Sequence, residues 1–243
     1  MFKHKHPYDP FIQPDTEKLI VGTLPPPRFS MGELLEKDVD FCYGSYYNSL
    51  WLYIDKIHNL NLRYDNSTEA VQQRKDFLIT HKIGVCDIVA SCEREKIDAS
   101  DLGMTNIKLR NIIGHLKQNP NINTLLFTGG NSKNGPEYFF RKHLKEHGLK
   151  LELVNNETPR IHQFSLPVIA TEAKQSAQKE TIITNTAEES HQKSRVIKTV
   201  SLTSSSGAAN ISISKIPLYR QLKAKNPDFN TFAFRVMQYR EFF

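Results

Sequence analysis

Short apolar runs alternate along this chain with stretches whose apolar residues recur every three or four positions, and the two periods separate strands from helices. Lys18-Leu19-Ile20-Val21-Gly22 is apolar without a break from Leu19, the pattern of a strand buried on both faces. It closes at Gly22-Thr23-Leu24-Pro25, and the prolines at 25, 26 and 27 cannot continue a ladder, so an extended loop follows. Residues 48–57 place Leu50, Trp51, Ile54 and Ile57 at helical spacing. Residues 83–89 read as a second central strand, and residues 105–116, with Ile107, Ile112, Ile113 and Leu116, as a helix. Residues 123–130 predict a third strand running into the Gly129-Gly130 turn. A helix over 135–148 follows, with Pro136 in its first turn and Gly148 at its end. A fourth strand is expected over 149–154 and a last one over 195–202, then helical segments from 211 broken at Pro217 and Pro227.

Strands alternating with helices predict an α/β three-layer sandwich: a central, mostly parallel sheet flanked by helices on both faces. We expect one domain over residues 1–243. Residues 171–194 are the exception. They are rich in Thr, Glu, Ala, Lys, Gln and Ser, with only Ile182-Ile183 strongly apolar, and bury too little to offset ordering entropy; a mobile, low-complexity insertion is expected there.

Two loops stand out within this frame. Ser201-Leu202-Thr203-Ser204-Ser205-Ser206-Gly207-Ala208-Ala209-Asn210 follows the last strand, and Gly22-Thr23-Leu24-Pro25 follows the first. Small residues let a ligand approach the backbone closely, so the pair predicts a cleft. Composition narrows what that cleft serves. Hydrophobic residues at 39% and charged residues at 24% belong to a soluble globular protein. No apolar run approaches the length of a membrane span, and the opening Met1-Phe2-Lys3-His4-Lys5-His6 lacks a signal-peptide core, so a cytoplasmic monomer is expected. The net charge of +6 favours a polyanionic partner. Cys42, Cys86 and Cys92 are too few for a disulfide framework or a four-thiolate metal site and read as buried thiols. His4 and His6 are expected as solvated imidazoles on a frayed terminus.

The motifs, in order and spacing, resemble the uracil-DNA glycosylase superfamily, most closely its mismatch-uracil and hypoxanthine-DNA glycosylase branches. Leu19-Ile20-Val21-Gly22-Thr23-Leu24-Pro25 resembles the first motif, and Tyr43-Gly44-Ser45-Tyr46-Tyr47-Asn48-Ser49-Leu50-Trp51 the aromatic-rich segment ending in Asn-x-Phe/Trp. The segment from Ser201 to Asn210 resembles the serine-rich motif that lies against DNA. Gly84-Val85-Cys86-Asp87-Ile88-Val89, followed by Cys92, Arg94 and Asp98, resembles the family's strand ending in Asp or Asn.

The resemblance implies a monofunctional glycosylase that extrudes a deaminated or mismatched base, uracil or hypoxanthine, from DNA and hydrolyses its N-glycosidic bond without metal or other cofactor. Asn48 is then the catalytic residue, holding water through its amide. Gly22, Thr23, Leu24, Pro25, Phe41, Tyr43 and Asp87 form the base pocket, and Ser204, Ser205, Ser206, Gly207 and Ala208 contact DNA. An aromatic face is needed because base stacking is worth about 1–3 kcal/mol. A carboxylate such as Asp87 accepts from a base N–H. Other roles stay open: Asn48 as a helix cap, Phe41 and Tyr43 as core aromatics, Asp87 as a turn cap or partner of Arg94, and Lys215, Arg220, Lys223 and Lys225 as a solvated face. The chain departs from the family at two places. Leu24 stands where uracil-specific relatives carry a water-positioning Asp, and Leu202-Thr203 where relatives carry a His. The alternative is therefore a weakly active or inactive member that binds nucleic acid.

Overall fold

Apolar runs bounded by turn residues become strands here, and their two-faced burial fixes the layers. The computed structural model describes residues 1–168 and 193–243. In chain order its elements are β1 (Phe2–Lys5), β2 (Lys18–Val21), α1 (Pro27–Met31), α2 (Leu50–His58), α3 (Thr68–Thr80), β3 (Ile83–Val85), β4 (Val89–Arg94), β5 (Met104–Leu109), α4 (Ile112–Gln118), β6 (Thr124–Phe127), α5 (Pro136–Glu146), β7 (Glu152–Asn155), β8 (Arg160–Pro167), β9 (Ser194–Ser201), α6 (Asn210–Ile213), α7 (Pro217–Lys225) and α8 (Thr231–Tyr239).

Six strands form one sheet in the order β3-β2-β6-β9-β8-β7. The first four run parallel, and β8 and β7 extend the sheet as an antiparallel arm. Alternate residues of the central strands feed opposite cores. Leu19, Val21, Leu125 and Phe127 pack with Ile112, Ile113 and Leu116 of α4 and Phe139, Phe140 and Leu144 of α5. Ile20, Leu126 and Val200 pack with Leu50, Trp51 and Ile54 of α2, Phe77 and Leu78 of α3, and Tyr239 of α8. Each such side chain contributes about 1.5–3 kcal/mol, so strands of only four residues are held firmly by their two faces. The three-layer α/β architecture is the one the sequence pattern predicts. Among the described residues no helix is long and apolar enough to cross a membrane.

Several elements differ from expectation. The strand over 83–89 is an edge, not a centre: β3 ends at Val85, ladder bonds continue irregularly from Cys86 N to Ile20 O and from Ile88 N to Gly22 O, and Val89 enters a second sheet. That sheet, in the order β1-β4-β5, is antiparallel. It claims residues 104–109, the first half of the expected 105–116 helix. Thr105, Asn106 and Lys108 face solvent while Met104 is buried, and the helix waits for Asn111, whose Oδ1 accepts from Gly114 N at 2.8 Å. The N-terminus is not frayed. β1 pairs with β4, and period two turns His4 and His6 inward. His4 Nδ1 accepts from Arg94 Nε at 3.0 Å, and burial lowers its pKa to about 4. Of the expected insertion, 171–192 lies outside the described residues, and Ser194 already belongs to β9. Cys42, Cys86 and Cys92 are buried free thiols.

Candidate functional site

The connections of the sheet open a crevice at one place. From β2 the chain crosses the α2–α3 face to reach β3, returns over the opposite face through α4 to β6, and continues on that face through α5. Neighbouring strands β2 and β6 therefore send their following segments in opposite directions, and such a switch point leaves a gap beyond the carboxyl ends of the strands. A cavity of about 590 Å³ lies there, within the 300–1,000 Å³ usual for ligand sites. Thr23, Leu24, Pro25 and Pro26 after β2, Thr128, Gly129 and Gly130 after β6, and Leu202 to Ser206 after β9 line it. Phe29, Tyr43, Tyr47, Asn48, Asp87 and Asp101 also line it.

The loop carrying Asn48 is tightly held. Asp38, buried, accepts from Arg28 Nε at 2.7 Å and Nη2 at 2.8 Å and from Tyr46 N at 2.8 Å, and Arg28 Nη2 also donates to Ser45 Oγ at 2.8 Å. These charge-assisted bonds hold the Asp38 carboxyl below its ordinary pKa against burial, which pushes it up. Gly44 makes the turn possible by close approach: a Cβ there would sit inside van der Waals contact of the Val39 and Phe41 carbonyl oxygens. Gly44→Ala should cost about 3 kcal/mol, the upper range for forced overpacking, and lower the urea midpoint accordingly. An unchanged midpoint would mean that the turn is plastic.

Asn48 meets the serine loop directly. It forms an antiparallel bridge with Ser206, and the adjacent Ser49 N donates to Ser205 O at 2.9 Å. Its Oδ1 accepts from Leu50 N at 2.9 Å, an Asx-type turn that leads into α2, whose N-cap is Ser49. No described residue accepts from its Nδ2, and the side chain lines the cavity.

Asp87 ties the floor together. Its Oδ1 accepts from Gly22 N at 2.9 Å and Tyr43 Oη at 2.8 Å, and its Oδ2 from His6 Nε2 at 3.1 Å. Tyr8 N donates to His6 Nδ1 at 3.1 Å, which leaves the imidazole proton on Nε2, facing Asp87. Burial pushes the Asp87 carboxyl up, and the bonds from His6, Tyr43 and Gly22 outweigh it, so its pKa lies below the ordinary value. Three of roughly four acceptor positions are filled within the protein, leaving one on Oδ2. The network also holds Tyr43 at φ 60°, a left-handed backbone that bulky residues rarely adopt. Burial, then the charge of Asp87, raises the Tyr43 hydroxyl pKa.

Asp101 and Phe29 are cavity residues that sequence reasoning missed, and Asp101 is the one that carries charge. It follows β4 on a 3-10 turn, Asp101–Gly103, and both its oxygens lie within reach of Thr23 Oγ1, at 3.0 and 3.1 Å. Burial raises its pKa to about 6. The folded-state value lies above the unfolded one of about 3.9, so the native chain binds the extra proton between pH 4 and 6. Stability from this group is fully present below about pH 4 and lost as pH rises through 6. Asp101→Asn should therefore gain on wild type in urea melts between pH 4 and 6.5; a gap that does not change with pH would sink this assignment. The only sequence signal was its place, a carboxylate shortly after a strand of the Gly22–Asp87 neighbourhood.

Thr23, Leu24, Pro25, Tyr43, Asn48, Asp87, Ser204, Ser205 and Ser206 all line the one cavity. Gly22 lies behind it, bonded to Asp87. Phe41 does not reach it: the ring packs in the core at 5.9 Å from Phe11 and 6.4 Å from Trp51, and Phe29 supplies the second aromatic wall. Gly207 and Ala208 are exposed outside the lining, and Ala208 N is used by Ser206 Oγ at 3.3 Å. Asp87 does not pair with Arg94, whose Nη1 bonds Ser100 O at 2.6 Å. Lys215, Arg220, Lys223 and Lys225 are exposed on and beside α7. No cluster of metal-ligating side chains occurs among the described residues.

No protein-family model matches the chain. No curated protein matches it. Among solved structures it is similar to a putative uracil DNA glycosylase from Methanosarcina acetivorans, with 20% identity and a TM-score of 0.43 over 60% of this chain and 80% of that one. Likeness at that level decides nothing about this chain.

Proposed function

We propose that this protein is a DNA glycosylase that draws a deaminated base, uracil or hypoxanthine, out of the helix and hydrolyses its N-glycosidic bond. One observation carries the reading: three segments that resemble glycosylase motifs, 22–25, 43–48 and 201–206, are far apart in sequence yet converge on one cavity. A base in a duplex is reached only by extrusion, at a cost of a few kcal/mol, and the pocket must return that through stacking and hydrogen bonds. Phe29 and Tyr43 offer the aromatic faces, and the free acceptor of Asp87 suits a base N–H. Asn48 keeps two amide protons and one acceptor position for a water, while its other acceptor position fixes the side chain on Leu50 N.

Negative charge gathers on the departing base in the transition state, and a nearby donor lowers that barrier. Asp101 serves as that donor in its protonated form, so single-turnover rates should fall as pH rises through about 6. Leu24 contributes only apolar contact. Ser204 and Ser206, at the rim, suit phosphate oxygens. A binding protein with little turnover is the second reading, favoured by one observation: Thr203, beside Leu202, has both its N–H (2.8 Å) and hydroxyl (2.9 Å) committed to Gln238, so neither position offers an acid or base.

The test is single-turnover incubation with oligonucleotides carrying uracil, hypoxanthine, xanthine or a G·T mismatch, followed by alkali to cut abasic sites. Strand breaks at one lesion are expected. Intact DNA with tight, salt-sensitive binding would select the second reading.

A further inference from the structure

Tyr46 and Tyr47 are 53% and 67% exposed, yet the backbone that carries them is hydrogen-bonded to the buried side chains of Asp38 and Ser45. Tyr46 N donates to Asp38 Oδ1 at 2.8 Å and Tyr47 N to Ser45 Oγ at 3.3 Å, with Arg28 clamping both acceptor residues. The rings meet edge to face, their centroids 5.2 Å apart. The Arg28 guanidinium lies 5.7 Å from the Tyr47 ring and the Lys37 ammonium 5.7 Å from the Tyr46 ring. Tyr47 borders the 590 Å³ cleft, whereas Tyr46 borders a smaller cavity of about 90 Å³ with Trp51, Leu52 and Tyr64. The pair thus straddles the lip on which Asn48 sits. Across that lip, residues 203–209 carry nothing larger than threonine, so the serine loop has no flat surface to offer.

Two aromatic faces held at the surface beside a half-buried ion pair are unfavourable alone and gain when a flat partner covers them. The cations beside them select a partner whose flat groups are strung on negative charge, and a nucleic acid strand has that chemistry. We propose that Tyr46 and Tyr47 form a stacking platform for the nucleobases flanking the nucleotide that enters the cleft, with Arg28 and Lys37 meeting the adjoining phosphates. The proposal rests on reading the cleft as a nucleobase pocket. Stacking accepts any base, so the platform confers grip and strand opening rather than choice of lesion.

The experiment uses the whole chain and an oligonucleotide with 2-aminopurine beside a stable abasic analogue. Anisotropy reports binding, and 2-aminopurine quenching reports stacking. Tyr46→Ala and Tyr47→Ala should each weaken binding roughly 10-fold and the double variant roughly 100-fold with loss of quenching, while Tyr47→Phe, which keeps the ring face, stays near wild type. Both positions are exposed, and melting curves verify that the variants fold.

Alanine variants that bind and quench as wild type does would overturn the platform, and base excision by all of them would leave the glycosylase reading standing. Lost binding and quenching in a protein that excises no base would uphold the platform and remove the glycosylase reading. A wild type that binds no oligonucleotide would overturn both.

Discussion

Asn48→Ala should slow single-turnover base excision by roughly 100- to 1,000-fold, the scale seen when one preorganised polar group is removed from a reacting centre. The fold should hardly notice. The loss to structure is the bond from Leu50 N to Asn48 Oδ1, a turn bond worth about 1 kcal/mol, or roughly 2–4 °C in melting temperature for a chain of this size. Asn48→Ser separates the two roles, because a hydroxyl can still accept from Leu50 N but cannot orient a water with paired amide donors. Its melting point should recover while its rate stays low. A serine variant as fast as wild type would reduce Asn48 to a turn residue before α2.

Asp87→Ala should be the most damaging of the single changes for stability, lowering it by about 3–5 kcal/mol, or roughly 6–20 °C in melting temperature. Removing the carboxylate strands Gly22 N–H, the Tyr43 hydroxyl and His6 Nε2–H in a buried site at once. It also frees Tyr43 from the bond that opposes its left-handed strain. Excision should fall with stability, since Tyr43 forms a cavity wall. Asp87→Asn should do less harm but not be neutral. Its Oδ1 can still accept from Gly22 and Tyr43, whereas an amide NH₂ would face the imidazole N–H. His6 would then have to move its proton to Nδ1, where Tyr8 N–H already donates. Melting of Asp87→Ala within 2 or 3 °C of wild type, on the order of 1 kcal/mol, would contradict the hub.

How far this was legible in the chain follows from where its information is local. β2, β6, α5 and β9 are apolar runs or amphipathic helices with their own caps and turns, and each lies where the pattern places it. β8 was missed although His162, Phe164 and Leu166 alternate inward, because a histidine and Gln163 dilute the run and its partner β9 lies beyond residue 190. α3 was missed because Ala70, Phe77 and Leu78 are its only buried apolar residues, and a buried Arg74, stacked 5.4 Å from Trp51, takes the place of another. The 105–109 error has the same root: Ile107 and Leu109 fit either period, and pairing with β4 decides.

In the cleft, the segments from 22, 43 and 201 were legible because their residue types are unusual. Phe41 was misplaced because nothing local says which of two neighbouring aromatics turns inward; the left-handed turn at Tyr43 does, and its cause, Asp87, is 44 residues away. Asp101 was invisible because its raised pKa comes from burial, against the lowering effect of the bond from Thr23, 78 residues distant, and burial is set by the tertiary fold.

Three loops forming one pocket for an extruded base should move together when DNA binds. Backbone amide NMR during titration with a duplex carrying a non-cleavable 2′-fluoro analogue of the preferred lesion tests it most directly. The largest shifts are expected at Thr23, Asn48, Asp101, Gly129 and Ser206, residues that share the cavity wall. Shifts concentrated instead on β7 and β8, the far edge of the sheet, would contradict it.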